Sequence, residues 1–376
     1  MNAPSAEELD LLRDQARTFT RQHTDHRRLR QMRETLPGHA RDVIAQFAGL
    51  GWNGVLFPES LGGSATGFSA MGVILEELGR GLIADPLVPG AVLAGRAILH
   101  CDNEALKQKL IPGIAEGTIT ASLAWQERPG TLDPQAIQTL ATVDKGLVSL
   151  TGGKQFVAFA EAGGFVVSAK RAEDVVLVWV PRDTPGLKLQ MQWRADGTPG
   201  AMLALDNATV PQENMAGAGK QALERAIDEA AAMACAEMVG VMRAALDITT
   251  EYMRHRVQFG KPIGSFQALQ HKAVDLFMQQ ELAAAVAAEA AEVLDREPRK
   301  DERTRIIARA KARCNDACLR ITRESIQLHG GIGTTDDCDI GLYFKRALTL
   351  SAWLGSSPVQ RARYAPFTRQ ECELDV

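Results

Sequence analysis

Between residues 118 and 210 the sequence changes texture, and this limits the possible folds more than any other feature of the chain. The stretches 118–125, 141–151, 155–159, 164–168, 175–180, 186–192 and 201–210 are short and rich in β-branched or aromatic residues, with Gly and Pro between them. That is the pattern of a β-barrel or sandwich. Both flanks keep a helical period instead. Residues 7–35 set Leu9, Leu12, Ala16 and Phe19 on one stripe of a charged segment, and 40–50 repeats the pattern. In 69–79, Met71, Ile74, Leu75 and Leu78 follow the i, i+3, i+4, i+7 spacing. Further helices are expected at 87–99 and 105–114, while Pro58, Gly62 and Gly63 make 55–63 a loop. From 213 to about 365 the period is helical again, with helices expected near 222–254, 266–294, 302–329 and 337–353. Their many alanines predict close helix–helix contacts within a bundle and between subunits. The expected class is α+β: an all-α domain at 1–116, a β-domain at 117–212 and a four-helix bundle at 213–376.

Composition removes several kinds of partner. A net charge of −4 with no dominant basic stretch speaks against nucleic acid. The polar first thirty residues carry no secretory h-region, and no apolar run approaches the ~18 residues of a membrane span. Six cysteines are scattered. Cys314 and Cys318 stand one helical turn apart, but no second pair completes a zinc site. They read as core thiols in a reducing compartment, and the expected location is cytoplasmic.

Chemistry concentrates in 254–271, where one helical pattern meets the next across Gly260, Pro262 and Gly264. Arg256 and Phe259 stand three apart on the expected last turn of the incoming helix, Ser265 is the expected N-cap of the next, and Gln267 follows it. A guanidinium, a ring, an amide and a helix start suit the phosphates and rings of a nucleotide. The plain alternative is a helical hairpin with a solvated arginine. A second motif, Gln327-Leu-His-Gly-Gly-Ile-Gly333, ends a later helix.

With the order helices, strands, bundle, Arg256-Val-Gln-Phe-Gly260, Phe266-Gln267 and the Gln327 motif resemble the acyl-CoA dehydrogenase family over nearly the whole chain. Phe57-Pro58-Glu59, Gly62-Gly63 and Gly153-Lys154-Gln155-Phe156 add matches. The resemblance implies FAD-linked removal of the α and β hydrogens of an acyl-CoA thioester. It also implies a tetramer, of like chains or with a homologous acyl-CoA dehydrogenase subunit, and reoxidation by an electron-transferring flavoprotein. FAD would lie between the β-domain of one subunit and the bundle of its neighbour. Carried over, Arg256 pairs with the pyrophosphate, Gln258 and Phe259 pack on the ADP half, and Gln267 hydrogen-bonds along it. Gln327, Gly330 and Gly331 would let the backbone approach the cofactor.

The chain departs from that pattern where chemistry is expected. Trp353-Leu354-Gly355-Ser356 stands at the usual place of the catalytic glutamate, and Leu354 accepts no proton. Ala230 occupies the place some relatives use instead, and Ala231 follows it. Glu229 is the neighbouring candidate base, though one residue turns a helical side chain by about 100°; its plain reading is a solvated carboxylate. Asp228 matches a position contacting the CoA portion. Around the flavin ring, Gln126-Glu127-Arg128, Leu132 and Ala158 replace the expected hydrogen-bonding set. Three readings stay open: a dehydrogenase subunit, a catalytically silent partner that completes a homologue's FAD site, or a flavin monooxygenase or oxidase on the same fold. His271, His329 and Lys154 are assigned structural roles.

Overall fold

The computed structural model describes residues 4–31, 40–83 and 86–374. Six helices come first: α1 (Ala6–His23), α2 (His26–Gln31), α3 (Ala40–Gly49), α4 (Phe68–Arg80), α5 (Arg96–His100) and α6 (Glu104–Ala115). Strands follow: β1 (Ala121–Ala124), β2 (Leu140–Asp144), β3 (Leu147–Val157), β4 (Gly164–Arg171), β5 (Asp174–Pro181), β6 (Leu187–Trp193), β7 (Pro199–Pro211) and β8 (Met215–Ala216). Helix α7 (Gly219–His255) leads into a hairpin, β9 (Val257–Gln258) with β10 (Lys261–Pro262). Helices α8 (Gln267–Asp295), α9 (Lys300–His329), α10 (Ile340–Ala352) and α11 (Ser357–Leu374) close the chain. The class is α+β, as the texture of the sequence implies.

The chain divides into two compact units, one built mainly from Arg30–Met71 and Asp85–Ala230, the other from Pro4–Leu29, Gly72–Ala84 and Ala231–Val376. The first holds the sheet, in the order β6-β7-β3-β2-β4-β5-β8, with β1 added to β4 in parallel. Strands β4 and β5 are buried along most of their length, which is why they read as continuous apolar runs. Val148, Leu150, Phe165, Val167, Val178 and Leu203 form the centre of this core.

In the second unit α8, α10 and α11 all pack on α9. Helices α4 and α7 cross so closely that a Cβ on Gly240 would overlap the Glu76 carbonyl oxygen, and one on Gly79 that of Glu237. Only glycine allows that approach. Arg346 Nε meets Glu237 Oε1 at 2.6 Å inside the bundle.

Local expectations are corrected in several places. The helix expected over 7–35 breaks after His23, where Thr24 caps α1 through its N–H to Thr20 O, and residues 32–35 lie outside the described set. The stretch 87–99 is a fully buried π-helix, Val88–Gly95, followed by α5. The bundle gains a fifth helix, α11, that runs on through Pro366. Among the described residues no helix is long and apolar enough to cross a membrane, and no group of His, Cys, Asp or Glu is placed to hold a metal ion.

Candidate functional site

Helix α7 ends at His255, short of the Phe259 to which its apolar period points, and the reason lies in Phe259 and Gly260. Both have positive φ, 53° and 78°, the pair of left-handed residues that a two-residue hairpin loop requires. Arg256 and Phe259 therefore belong to the β9–β10 hairpin and not to a helical turn, and Phe259 stands 91 % exposed at its tip. Ser265 caps nothing: its Oγ donates to Pro262 O at 2.7 Å, and the N-cap of α8 is Phe266. The Phe266 ring meets Phe259 edge-on, centroids 6.1 Å apart, with the Lys261 ammonium 4.3 Å from its centre. Arg256, Gln258 and Gln267 are exposed. Among the described residues no carboxylate pairs with the Arg256 guanidinium.

The second motif lies at the same end of the helical unit. Tyr252 near the end of α7 donates its hydroxyl to His329 O at 3.3 Å, and the two rings stack at 4.4 Å. His329 is buried, with Nδ1 2.8 Å from Ser325 O, as befits a structural residue. Beyond it Gly330 takes φ 70° and ψ −148°, a conformation open essentially to glycine alone. A Cβ on Gly330 or Gly331 would meet nothing within 4 Å, and Gln327 is exposed beside them. An exposed guanidinium, an exposed ring, amides and an unobstructed glycine pair form a donor set that fits a pyrophosphate and a flat heterocycle. His271 is exposed on α8 and takes no part in it.

In the sheet unit the stretch around Glu127 and Lys154 is organised by a buried ion pair. Lys154 Nζ lies 2.6 Å from Glu127 Oε1 and 3.1 Å from Ser168 Oγ. Burial lowers the Lys154 pKa to about 8, partly offset by Glu127. Glu127 is also displaced by burial, upwards, but Lys154 and the Thr139 hydrogen bonds outweigh this and hold it below its ordinary value. Phe156 is half exposed, and Ala158 is buried.

Asp228 and Glu229 are both buried, so Glu229 is not the solvated carboxylate its position on α7 suggested. Arg96 on α5 grips it with two bonds, Nε to Oε2 at 2.8 Å and Nη2 to Oε1 at 2.9 Å. His100 Nε2 stands 2.9 Å from Oε1, and Arg225 Nε 3.1 Å from the same oxygen. Burial alone would raise the Glu229 pKa, but Arg96 and His100 outweigh it and hold the carboxyl well below the usual range. His100 is itself shifted down by burial, against the pull of Glu229. A carboxylate this well satisfied is a poor proton acceptor, and the geometry makes Glu229 a counter-ion.

Where the resemblance places a catalytic glutamate, Leu354 is buried in a left-handed conformation, φ 57°. Three buried side chains hold the carbonyls around it: Lys311 Nζ to Leu350 O at 2.9 Å, Gln360 Nε2 to Leu354 O at 2.6 Å and Asn315 Nδ2 to Gly355 O at 3.1 Å. In the sheet unit a cleft of about 1120 Å3 opens between the β4–β5 turn and the start of α7, lined by Lys170, Arg171, Glu173, Asp174 and Lys220 among others.

Sequence reading missed Arg96, His100 and Arg225 as partners of Glu229, although an arginine inside the apolar run 87–99 was a usable signal. It also missed the Lys311–Asn315–Gln360 clamp, which nothing local announces.

Known proteins repeat this architecture. Residues 6–118 match the family model for the N-terminal domain of acyl-CoA dehydrogenase and residues 217–366 that for its C-terminal domain, together more than half of the chain. Cyclohex-1-ene-1-carbonyl-CoA dehydrogenase of Geobacter metallireducens is 28 % identical over 367 residues, 94 % of each chain. Acyl-CoA dehydrogenase IpdE2 of Mycolicibacterium smegmatis is 27 % identical over 364 residues, 95 % of this chain and 98 % of its own. Among solved structures, a variant of the Tcur3481-Tcur3483 steroid ACAD superposes with a TM-score of 0.87 at 29 % identity, covering 98 % of this chain and 99 % of that one. With both terminal domains matched and full-length relatives sharing its element order, the chain belongs to the acyl-CoA dehydrogenase family of oxidoreductases.

Proposed function

We propose that this chain works as one subunit of an FAD-dependent acyl-CoA dehydrogenase assembly, and that its own bundle completes the ADP half of a FAD site in a neighbouring subunit. Flavin use comes with the family; the division of labour is our reading. The observation that carries it is the pairing of an exposed Arg256 and Phe259 with open space at Gly330 and Gly331, all at one end of the helical unit. Arg256 would neutralise pyrophosphate charge, Phe259 and Gln258 would cover the adenosine side, and Gln267 with Gln327 would hydrogen-bond along the cofactor. When bound, FAD supplies the two-electron redox chemistry that no side chain can.

In this reading the phosphates of the acyl-CoA sit in the large cleft of the sheet unit. Lys170, Arg171 and Lys220 line it together with Asp102, Glu173 and Asp174, and what favours an anion there is the start of α7 with its unpaired N–H groups. Asp228 lies two turns further along α7 and is the candidate contact to the rest of the CoA portion.

The partner favoured by this reading is a homologous but different chain. Leu354 offers no base, Ala230 none, and Glu229 is occupied by Arg96, His100 and Arg225. Within its family the chain resembles the small subunit of pimeloyl-CoA dehydrogenase, and the steroid ACAD above carries a double name, Tcur3481-Tcur3483. An exposed apolar stripe on α8, Val274, Phe277, Met278 and Leu282, offers a surface for such a neighbour. An electron-transferring flavoprotein is the expected acceptor. The test is the visible spectrum of the chain purified alone and co-expressed with a homologous subunit. Flavin and acyl-CoA-dependent bleaching gained only with the partner support the reading; a yellow lone chain bleached by an acyl-CoA refutes it.

A further inference from the structure

Arg225 is the least committed member of the cluster around Glu229. Among the described residues its guanidinium makes one bond, Nε to Glu229 Oε1 at 3.1 Å, and its side chain is 34 % exposed. Arg96, at 4 % exposure, gives two donors to Glu229 and a third, Nη1, to Leu56 O at 2.8 Å. Glu229 does not depend on Arg225. Both of its oxygens accept from Arg96, and His100 Nε2 stands 2.9 and 3.0 Å from the two. A guanidinium is a planar fork of N–H donors. With Nε turned to Glu229, the outer edge of Arg225, Nη1 with Nη2, stays available for bidentate contact with a phosphate.

The cluster adjoins the large cleft of the sheet unit through two elements. Gln221, one helical turn before Arg225 on α7, lines the cleft. A long helical side chain leans back over the turn before it, so Arg225 reaches towards that lining. Asp102, just beyond His100 in the chain, lines the cleft as well and lies against Gly217, where a Cβ would come within 2.5 Å of Asp102 Oδ2. Charge separates the two places. In the cleft wall Lys170, Arg171 and Lys220 are matched by Asp102, Glu173 and Asp174, so these side chains leave no surplus. In the cluster two guanidiniums share one carboxylate, and a positive charge is left over.

We propose that Arg225 is a binding residue for the nucleotide phosphates of a CoA thioester: its outer edge turns to the ligand in the cleft, while Glu229 stays paired with Arg96. This rests on the reading of the cleft given above, and it supplies the surplus cation that the wall lacks. Glu229 then serves two cations, one fixed and one released to the ligand.

The experiment titrates the full chain with CoA by calorimetry. Arg225→Gln is expected to raise the Kd about tenfold or more, as loss of a hydrogen bond to a charged group implies, and to lessen the salt dependence of binding. Arg225→Lys keeps the charge and loses the fork; it is expected to raise the Kd severalfold and keeps the test decisive if Arg225→Gln does not fold. Lys220→Gln in the cleft wall should also weaken binding, whereas Lys188→Gln, which removes an exposed charge on β6, should leave it unchanged. An unchanged Kd in a folded Arg225 variant while Lys220→Gln weakens binding overturns the assignment of Arg225, as does equal weakening by Lys188→Gln. A parent that binds no CoA, or binding that neither Arg225→Gln nor Lys220→Gln alters, overturns the reading of the cleft itself.

Discussion

Replacing Glu229 by glutamine removes one charge and almost no volume. In the native chain both carboxylate oxygens face Arg96, whose side chain is 4 % exposed against 1 % for Glu229. The amide of Glu229→Gln can still offer one oxygen, but its NH2 group would point a donor at the guanidinium, and a buried cation would lose its counter-charge. Breaking a buried pair from one side costs about 3–5 kcal/mol. For a unit of this size each kcal/mol moves Tm by about 2–4 °C, so a fall of about 6–20 °C is expected in a thermal scan followed by circular dichroism. Arg225→Gln is the control: that side chain is 34 % exposed, and its loss is expected to cost ~1 kcal/mol or less. The pH dependence has a defined sign. The folded pKa of Glu229 lies below its ordinary 4.5, so its contribution is complete above that value and is lost as the pH falls towards the folded pKa. The stability gap between parent and Glu229→Gln should therefore be flat from neutral pH down to about 5 and shrink below about 4.5. A Tm within about 2 °C of the parent would refute the counter-ion assignment. Loss of α-proton exchange from butyryl-CoA at unchanged stability would restore Glu229 as the base.

Three further outcomes are expected. Arg256→Ala should lower FAD retention by the assembled protein ten- to a hundredfold, since a hydrogen bond to a charged group is worth about 1.5–3 kcal/mol; flavin absorbance after desalting measures this, and full retention removes Arg256 from the pyrophosphate. Phe259→Ala should change the stability of the lone chain by no more than the ~0.5 kcal/mol typical of surface changes while weakening assembly in size-exclusion runs, because the ring is exposed at a hairpin tip. Burial lowers the Lys311 pKa from 10.5 to about 8, so between those values the unfolded chain binds more protons and stability rises with pH. Urea unfolding at pH 8 and 10.5 should show the parent gaining up to about 3 kcal/mol on Lys311→Met; a constant difference would mean that the ammonium is not held in a low-dielectric site.

Much of the architecture was visible in the residues because it is written in local periods. Strands β4 and β5 announce themselves as apolar β-branched runs between Gly and Asp turns, and α7 to α10 each keep an apolar face. What failed to show is set by distant or two-residue effects. The end of α7 depended on Phe259 and Gly260 both adopting positive φ, a choice that overrides the helical period running into them. Ser265 had the right chemistry for an N-cap but closes the 3-10 turn Ile263–Ser265 before α8, where its hydroxyl donates to Pro262 O. Glu229 looked solvated because its partner Arg96 lies 133 residues away in sequence. The residues proposed to grip a nucleotide stand together in the sequence, while their placement beside the Gly330 turn emerged only from the Tyr252–His329 contact.

Gly330 and Gly331 look alike in the sequence and impose different rules on variation. Neither is crowded, since an added Cβ meets no neighbour at either. At Gly330, with φ 70° and ψ −148°, the obstacle is handedness: an L-alanine is strained there although the space is empty, whereas its mirror image would sit without strain. Gly331 carries no such restriction, so in the isolated chain it should accept small side chains freely. Any intolerance to substitution at 331 that appears only in the assembled, cofactor-loaded protein would therefore report the approach of something from outside the chain. The two neighbouring glycines thus form a built-in control, one sensitive to chirality and the other to occupancy.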